Sequence, residues 1–534
     1  MRASDWLLTP EERGNPATRL DSRHPAGEAW SGGNLVRPLI HGATYFAELK
    51  RAVDRMDRGD LLVFTDWRGD PDELLTPEPG SEVSRVLCRA ASRGVDVRGL
   101  IWRSHLDRFQ MSEAENRHLG EELNKAGGQG LLDMRVRPGG SHHQKFLVLR
   151  HPGRPELDVA FVGGIDLCHS RRDDDAHTGD PQRQPMAAVY GPRPPWHDAQ
   201  VAIRGPAVAD VEMVFRERWE DPQPLSRNPI HLIADRLRHD DPAARRLPPQ
   251  LPDPPPVGPH TVQLLRTYPY RIGGYPFAPN GERSVARGYT KALHRARRLI
   301  YVEDQYLWSA EVATTFAEAL RAHSDLHLIA VLPHYPDQDG RISQPPNLVG
   351  REHALSLIRA AGGDRVAVYG VENHAGTPVY VHAKVCVVDD VWASVGSDNF
   401  NRRSWTHDSE FSAAVLDETL DDRPPRFPGG PGEPPRAYAR NLRLALAREH
   451  LDRADGEDAD LLDPRTAFEA FATAAHTLQD WQDRGRGGQR PPGRLRPLAE
   501  QPLSVATRLW ATPLYRAFYD PDGRPRALRR RHAF

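Results

Sequence analysis

From Thr44 onward the chain breaks into short apolar runs separated by longer amphipathic stretches. LLVFTDW (61–67), DVRGLIW, LLDMRVR and DVAFVGG read as strands buried on both faces. Between them TYFAELKRAVDRM, SEVSRVLCRAASRG and SEAENRHLGEELNKAG carry helical spacing, and AVADVEMVFRERW follows the last strand. The order then recurs. TVQLLRT, SVARGYTKALHRA, RLIYVED, EVATTFAEALRAH, LHLIAVLP, NLVGREHALSLIRAAGG and VAVYG again alternate strand and helix. The pattern predicts an α/β protein of two pseudo-symmetric α/β/α halves. Each half is a mixed sheet flanked by helices, and the halves pack face to face with the active site between them. Residues 1–40 read as an irregular arm, 41–241 as the first half and 261–452 as the second. The connector, 242–260, is proline-rich and cannot continue a helix or a central strand. Residues 453–534 read as a helical, basic tail.

Composition narrows the function classes. A length of 534 residues suits a large duplicated unit, and a net charge of −2 gives no basic stripe for a nucleic acid. Cys88, Cys168 and Cys386 lack metal or disulfide spacing, which fits a reducing compartment. The first residues carry no apolar leader, and no run approaches the roughly 20 apolar residues of a spanning helix. The expectation is a cytoplasmic monomer that meets a membrane only peripherally. The basic C-terminus can touch anionic lipid or simply be solvated.

The chemistry is announced by lysine. Only five lysines stand among 71 Lys+Arg, and two of them share a setting: His143-Gln144-Lys145 and His382-Ala383-Lys384. A compact ammonium is not interchangeable with a planar guanidinium. Placed on a strand, residues two apart share a face, so each histidine projects with its lysine. Two such pairs facing one another would set two imidazoles across one phosphorus. One can attack and the other can protonate the departing oxygen, with ammonium charge beside the oxyanion. No metal or other cofactor is required for that.

The second motif continues as His382-x-Lys384-x4-Asp389 and then Gly396-Ser397-Asp398-Asn399. It resembles the HxKxxxxD signature of the phospholipase D superfamily, and both halves share in the likeness. FVGGIDLCHSRRDDD, PPWHDAQVAIRGPAV, YVEDQYLW and HDSEF resemble the large eukaryotic-type enzymes most. The resemblance implies a phosphohistidine intermediate. His143 is then the nucleophile and His382 the acid and base, or the reverse. It implies that Lys145 and Lys384 grip the phosphoryl oxygens, with Ser397 and Asn399, and Gly164 and Asp166 in the first half, at the phosphate. It also implies an orienting acid for each imidazole: Glu410 for His382 and Asp198 for His143. The implied activity is hydrolysis of the distal phosphodiester of a glycerophospholipid, with transfer to another alcohol through the same intermediate. A cardiolipin-synthase-like phosphatidyltransferase, a nuclease and a non-catalytic lipid-binding protein are the rivals. Residues 1–40 are too short for the calcium-dependent or phosphoinositide modules of larger relatives.

One position departs from the signature. Arg150 stands where the first motif should have an aspartate. It lies an odd number of residues from Lys145, so on a strand it points away from the reactive face. The motif aspartate, Asp389 in the second half, is therefore expected to be structural, and Asp158 is a candidate substitute in the first. His142 is expected to point away from the site. Trp67, Glu303 and Gln305 match family positions near the site. Asp173, Asp174 and Asp175 read as a loop rather than a calcium site.

Overall fold

The computed structural model describes residues 2–24, 27–105, 113–238, 243–340, 342–425, 433–499, 501–531 and 533–534. The first half contributes β1 (Ser31–Ile40), β2 (Leu61–Asp66), β3 (Asp96–Trp102), β4 (Gln129–Asp133), β5 (Phe146–Arg150), β6 (Val159–Gly163), β7 (Trp196–His197) and β8 (Ala199–Arg204). Seven of these form a sheet in the order β1-β8-β6-β5-β2-β3-β4. The β2-β3-β4 neighbours are parallel and the others antiparallel. Parallel neighbours need long crossovers, and the helices Val83–Ser92 and Glu113–Lys125 supply them.

The second half contributes β9 (His260–Tyr268), β10 (Glu282–Arg283), β11 (Leu299–Glu303), β12 (His327–Val331) and β13 (Val366–Glu372). It continues with β14 (Pro378–Val381), β15 (Val385–Val388), β16 (Trp392–Gly396) and β17 (Glu410–Asp417). Its order is β9-β17-β16-β15-β11-β12-β13, with the same sequence of antiparallel and parallel pairs. Strand for strand, the two sheets repeat one topology, as the recurring hydrophobic pattern predicts.

Each sheet has an outer core against its own helices. Val97, Phe64 and Leu147 pack there in the first half, and Ile300, Leu328 and Cys386 in the second. The inner faces share one core, in which Val63, Val148 and Val162 join Val385, Val395 and Ala413. The rings of Phe146 and Phe411 meet across this seam with centroids 4.7 Å apart. The face-to-face arrangement is thus a hydrophobic joint, fully removed from water.

The structure corrects the reading of the ends. The segment 1–40 is not wholly irregular, because β1 lies inside it as the counterpart of β9. Before β1 the chain crosses to the second half, where Trp6, Leu7 and Leu8 enter its core and Arg13 pairs with Glu282 at 2.9 Å. The boundary expected at 241–242 lies outside the described residues, as does Ser112 of the expected helix, which is described as Glu113–Lys125. Residues 243–259 hold no helix or strand. The tail contributes structure of its own. Helix Pro464–Asp483 is capped by Asp463, and β18 (Leu495–Pro497) extends the second sheet beside β13. Among the described residues no helix is long and apolar enough to cross a membrane. The three cysteines are free.

Candidate active site

Each His-x-Lys segment runs extended into its sheet, and the strand begins one residue after the lysine, at Phe146 and at Val385. The expectation of a strand at the motif itself is corrected by that much. What holds these segments is the other half of the molecule. β14, leading to His382, pairs in parallel with β7, so Val381 lies beside His197. The next residues, His382 and Asp198, then emerge side by side. The first motif does the same: His142 bridges Ser409 in parallel, and the His143 N–H donates to the Ser409 carbonyl at 2.9 Å. His143 and Glu410 follow.

The acids are therefore exchanged relative to the expected pairing. His143 Nδ1 is 2.8 Å from Glu410 Oε2, and His382 Nδ1 is 2.6 Å from Asp198 Oδ2. The resemblance implied Glu410 for His382 and Asp198 for His143; the crossed strand pairing overrules it. Both acids are fully buried, and both histidines line one cleft of about 500 Å³. With Nδ1 fixed by a carboxylate, each ring turns Nε2 toward the cleft.

The lysines are held in parallel ways. Lys145 donates to its own histidine's carbonyl at 3.0 Å and lies 3.4 Å from Asp166. Lys384 donates to the His382 carbonyl and to Gln305 at 3.3 Å. Burial pushes Lys384 down to about 8, opposed by Asp198. Burial with Lys145 nearby holds His143 well below the usual histidine range, and burial with Lys384 brings His382 to about 3. Burial thus disfavours a proton on either ring. Burial, with Asp408 adding to it, pushes the Glu410 carboxyl up against the pull of Lys145. The pair thus disfavours separated charge. An anionic diester entering the cleft favours a proton on His382, while His143 beside Lys145 stays neutral.

The remaining candidates divide. Ser397 donates to Glu410 at 2.6 Å, so it braces the acid. Asn399 lines the cleft, and its buried Oδ1, an acceptor, has no protein partner. Gly164 lies against Asp198, where a Cβ would overlap its carboxylate. Asp166 sits at the cleft between Lys145 and Arg171, which keep its carboxyl well below the ordinary range despite burial. Its neighbour Asp66 is pushed well above, by burial and by Asp166. Asp389 takes the N–H groups of Arg297, Arg298 and Leu299 at 2.7–2.9 Å and so fastens the entry to β11; its role is structural.

Arg150 replaces that device. It is buried and paired with Asp158 at 2.8 Å and with Glu212 at 2.5 Å, at the end of β5 far from His143 and outside the cleft lining. Asp158 in turn accepts the His151 N–H. The departure from the motif leaves the reactive face unaltered. His142 is buried away from the cleft, near Asp133. Asp173 is a buried loop anchor that accepts from Trp196 and Gly179 N–H groups. Trp67 stacks on Trp102 and meets His143, and Gln305 reaches Lys384; Glu303 lies behind the wall, against His197.

Sequence reading missed several lining groups. Arg171 lies over the Trp196 ring at 4.0 Å and 3.5 Å from Asp166, and Trp196 packs on His382. Tyr306, Trp308, Arg403, Phe518 and Tyr519 complete other walls. Arg171 and Trp196 stand within the stretches that carried the resemblance, whereas Phe518 and Tyr519 come from the tail and carry no motif.

The duplicated sheets and mirrored His-Lys-acid sets are matched by the family comparisons. The model described as phospholipase D matches residues 74–245, and that described as the PLD-like domain of cardiolipin synthase matches 289–423. The chain belongs to the phospholipase D superfamily. Within it, phospholipase D A of Dictyostelium discoideum is 27% identical, over 78% of this chain and 35% of that protein. Phospholipase D alpha 1 of Cynara cardunculus is 24% identical, over 71% and 60%. The chain thus spans between a third and three fifths of the length of these curated relatives. Phosphatidylserine synthase of Haemophilus influenzae superposes with a TM-score of 0.49 at 13% identity, over 72% of this chain and 82% of that one. Enzymes of the superfamily are phosphodiesterases or phosphatidyltransferases, and the cleft is equipped for either.

Proposed function

We propose that this protein is a phospholipase D acting on glycerophospholipids at a membrane surface. The observation that carries the reading is the pair of imidazoles lining one cleft, each fixed at Nδ1 by a buried acid and each with a buried lysine bonded to its own carbonyl. His143 Nε2 attacks the phosphorus while the distal P–O bond breaks, and His382, which takes up a proton at Nε2 as the anionic diester binds, gives that proton to the departing alcohol. The Nδ1 proton of His143 faces Glu410, which steadies the cation formed on phosphorylation. Water, deprotonated by His382, then displaces the imidazole, releasing phosphatidic acid and restoring both rings. Another alcohol in place of water gives transfer. Lys145, Lys384 and Asn399 face the phosphoryl oxygens.

His143 as nucleophile is favoured by its side chain, which is 14% exposed against 6% for His382. The decisive assay is choline release from phosphatidylcholine vesicles by wild type and His382→Ala, with acid-stable trapping of a labelled phosphoenzyme. Release by wild type alone supports the reading. No release would redirect it to another diester, with phosphatidylglycerol and single-stranded DNA tried next. A phosphatidyltransferase is the second reading, favoured by the cardiolipin-synthase model over the second half. Added glycerol or phosphatidylglycerol as acceptor separates the two.

A further inference from the structure

Behind His382 lies a second cluster that the phosphodiester chemistry does not use. His41, His177, His197 and Glu449 converge there from four separate segments, with one ligand atom of each within 4.8 Å of all the others. The three histidines are buried and Glu449 is nearly so. His41 Nε2 is 2.8 Å from Glu449 Oε2. His177 Nε2 and His197 Nδ1 stand 3.0 and 3.2 Å from Glu449 Oε1.

The outer nitrogens decide what the inner ones offer. His177 Nδ1 is 3.1 Å from the Trp196 carbonyl, which can only accept, so its proton sits there and Nε2 presents a lone pair. His197 Nε2 is 2.7 Å from Glu303. Glu303 also receives the Tyr301 hydroxyl at 2.6 Å and lies 2.8 Å from His450 Nε2, so it is held as an acceptor. In the neutral ring His197 Nδ1 then presents a lone pair too, and it has no hydrogen-bond partner despite full burial. As neutral rings, the two would thus turn lone pairs toward one carboxylate oxygen across 3.0–3.2 Å. Donors crowded in this way repel one another unless a cation lies among them or both rings carry an extra proton. Ligating histidines bonded outward to a carbonyl and to a carboxylate are the usual supporting arrangement of a metal site. His41 adopts φ 68°, ψ 154°, a conformation a non-glycine residue holds only when its surroundings enforce it.

We propose that His41, His177, His197 and Glu449 bind one divalent transition-metal ion, of the zinc class, as a structural site. Three imidazole nitrogens and a carboxylate, closed from solvent, suit four-coordinate zinc and not calcium or magnesium, which take oxygen ligands. The ion ties the start of helix Gly42–Asp54, the loop after β6, β7 and helix Ala437–His450 to one another. It stands beside the catalytic wall. The His197 carbonyl accepts the N–H groups of His382 and Ala383 at 2.8 and 3.2 Å, and Asp198 is the next residue. The ion takes no part in the phosphoryl steps, and the proposal stands whatever diester the enzyme cleaves.

The test uses the full chain purified from zinc-supplemented culture and dialysed against metal-free buffer. Mass spectrometry of the metal content should give about one zinc per chain, as a four-ligand site holds one ion. The ion should disappear in His177→Asn and Glu449→Gln and remain in His374→Ala, which alters an exposed histidine. Wild-type protein stripped of metal and titrated with Co²⁺ should develop the intense visible bands of four-coordinate cobalt, a reading that needs no variant to fold. A metal-free wild type that takes up no Co²⁺ overturns the proposal and makes the cluster a buried set of imidazolium–carboxylate pairs. Zinc retained in both ligand variants overturns it as well.

Discussion

Lysine 384 and the two cleft histidines set the pH range in which the site works. Burial lowers the Lys384 ammonium to about 8, so its charge is present below that pH and lost above it. Activity on a zwitterionic or anionic lipid is expected to decline above about pH 8; a profile flat to pH 10 would count against Lys384 as a phosphate ligand. His143 is depressed, so it stays an unprotonated nucleophile well below pH 6.5. The acid limb of kcat/KM should accordingly fall below that value. His382→Ala should lower kcat by about 10²–10⁴-fold, the usual share of a general acid, in the vesicle assay. Glu410→Gln should reduce kcat with little change in KM, because Glu410 orients His143 rather than holding substrate.

At the scale of elements, two positions test how strands place the site. Gly164 follows β6, and a methyl there would drive Asp198 off His382. Gly164→Ala is expected to fold and to lose about 100-fold in activity, the effect of a misplacement near 1 Å. Unchanged turnover would mean that the acid's position is not critical. Arg150→Asp restores the motif residue yet should destabilise the protein. It removes the partner of Asp158 and Glu212 and buries a third carboxylate beside them. Breaking a buried pair costs about 3–5 kcal/mol, measurable by urea unfolding. The folded fraction should keep its specific activity, since Arg150 is not part of the cleft lining.

The whole molecule adds what neither half holds alone. Phe518 and Tyr519, from the tail, line the cleft, and Phe518 is 68% exposed. The preceding helix, Val505–Leu514, exposes Val505, Leu509 and Trp510. An apolar surface running up to the cleft suits insertion at a lipid interface. Leu509→Asp combined with Trp510→Asp should lower turnover on vesicles while leaving a soluble short-chain diester unaffected. Equal loss on both substrates would assign the segment to folding instead.

The sequence by itself determined the duplication, the strand and helix order of each half, and several of the residues that meet at the cleft. Periodicity is a local property, and the His-x-Lys repeat stands out against an arginine-rich background. That Arg150 lies outside the cleft lining was expected from strand parity. The tertiary structure alone decided which acid serves which histidine. Asp198 and Glu410 were both found, but β7 pairs with β14, and Ser409 with His142, across the joint between halves. No local pattern encodes a pairing between segments so far apart in the chain. The same holds for β1 within the expected arm, for Phe518 and Tyr519 in the cleft, and for the His41–His177–His197–Glu449 cluster. Each depends on where distant segments are brought together when the two sheets bury their shared core.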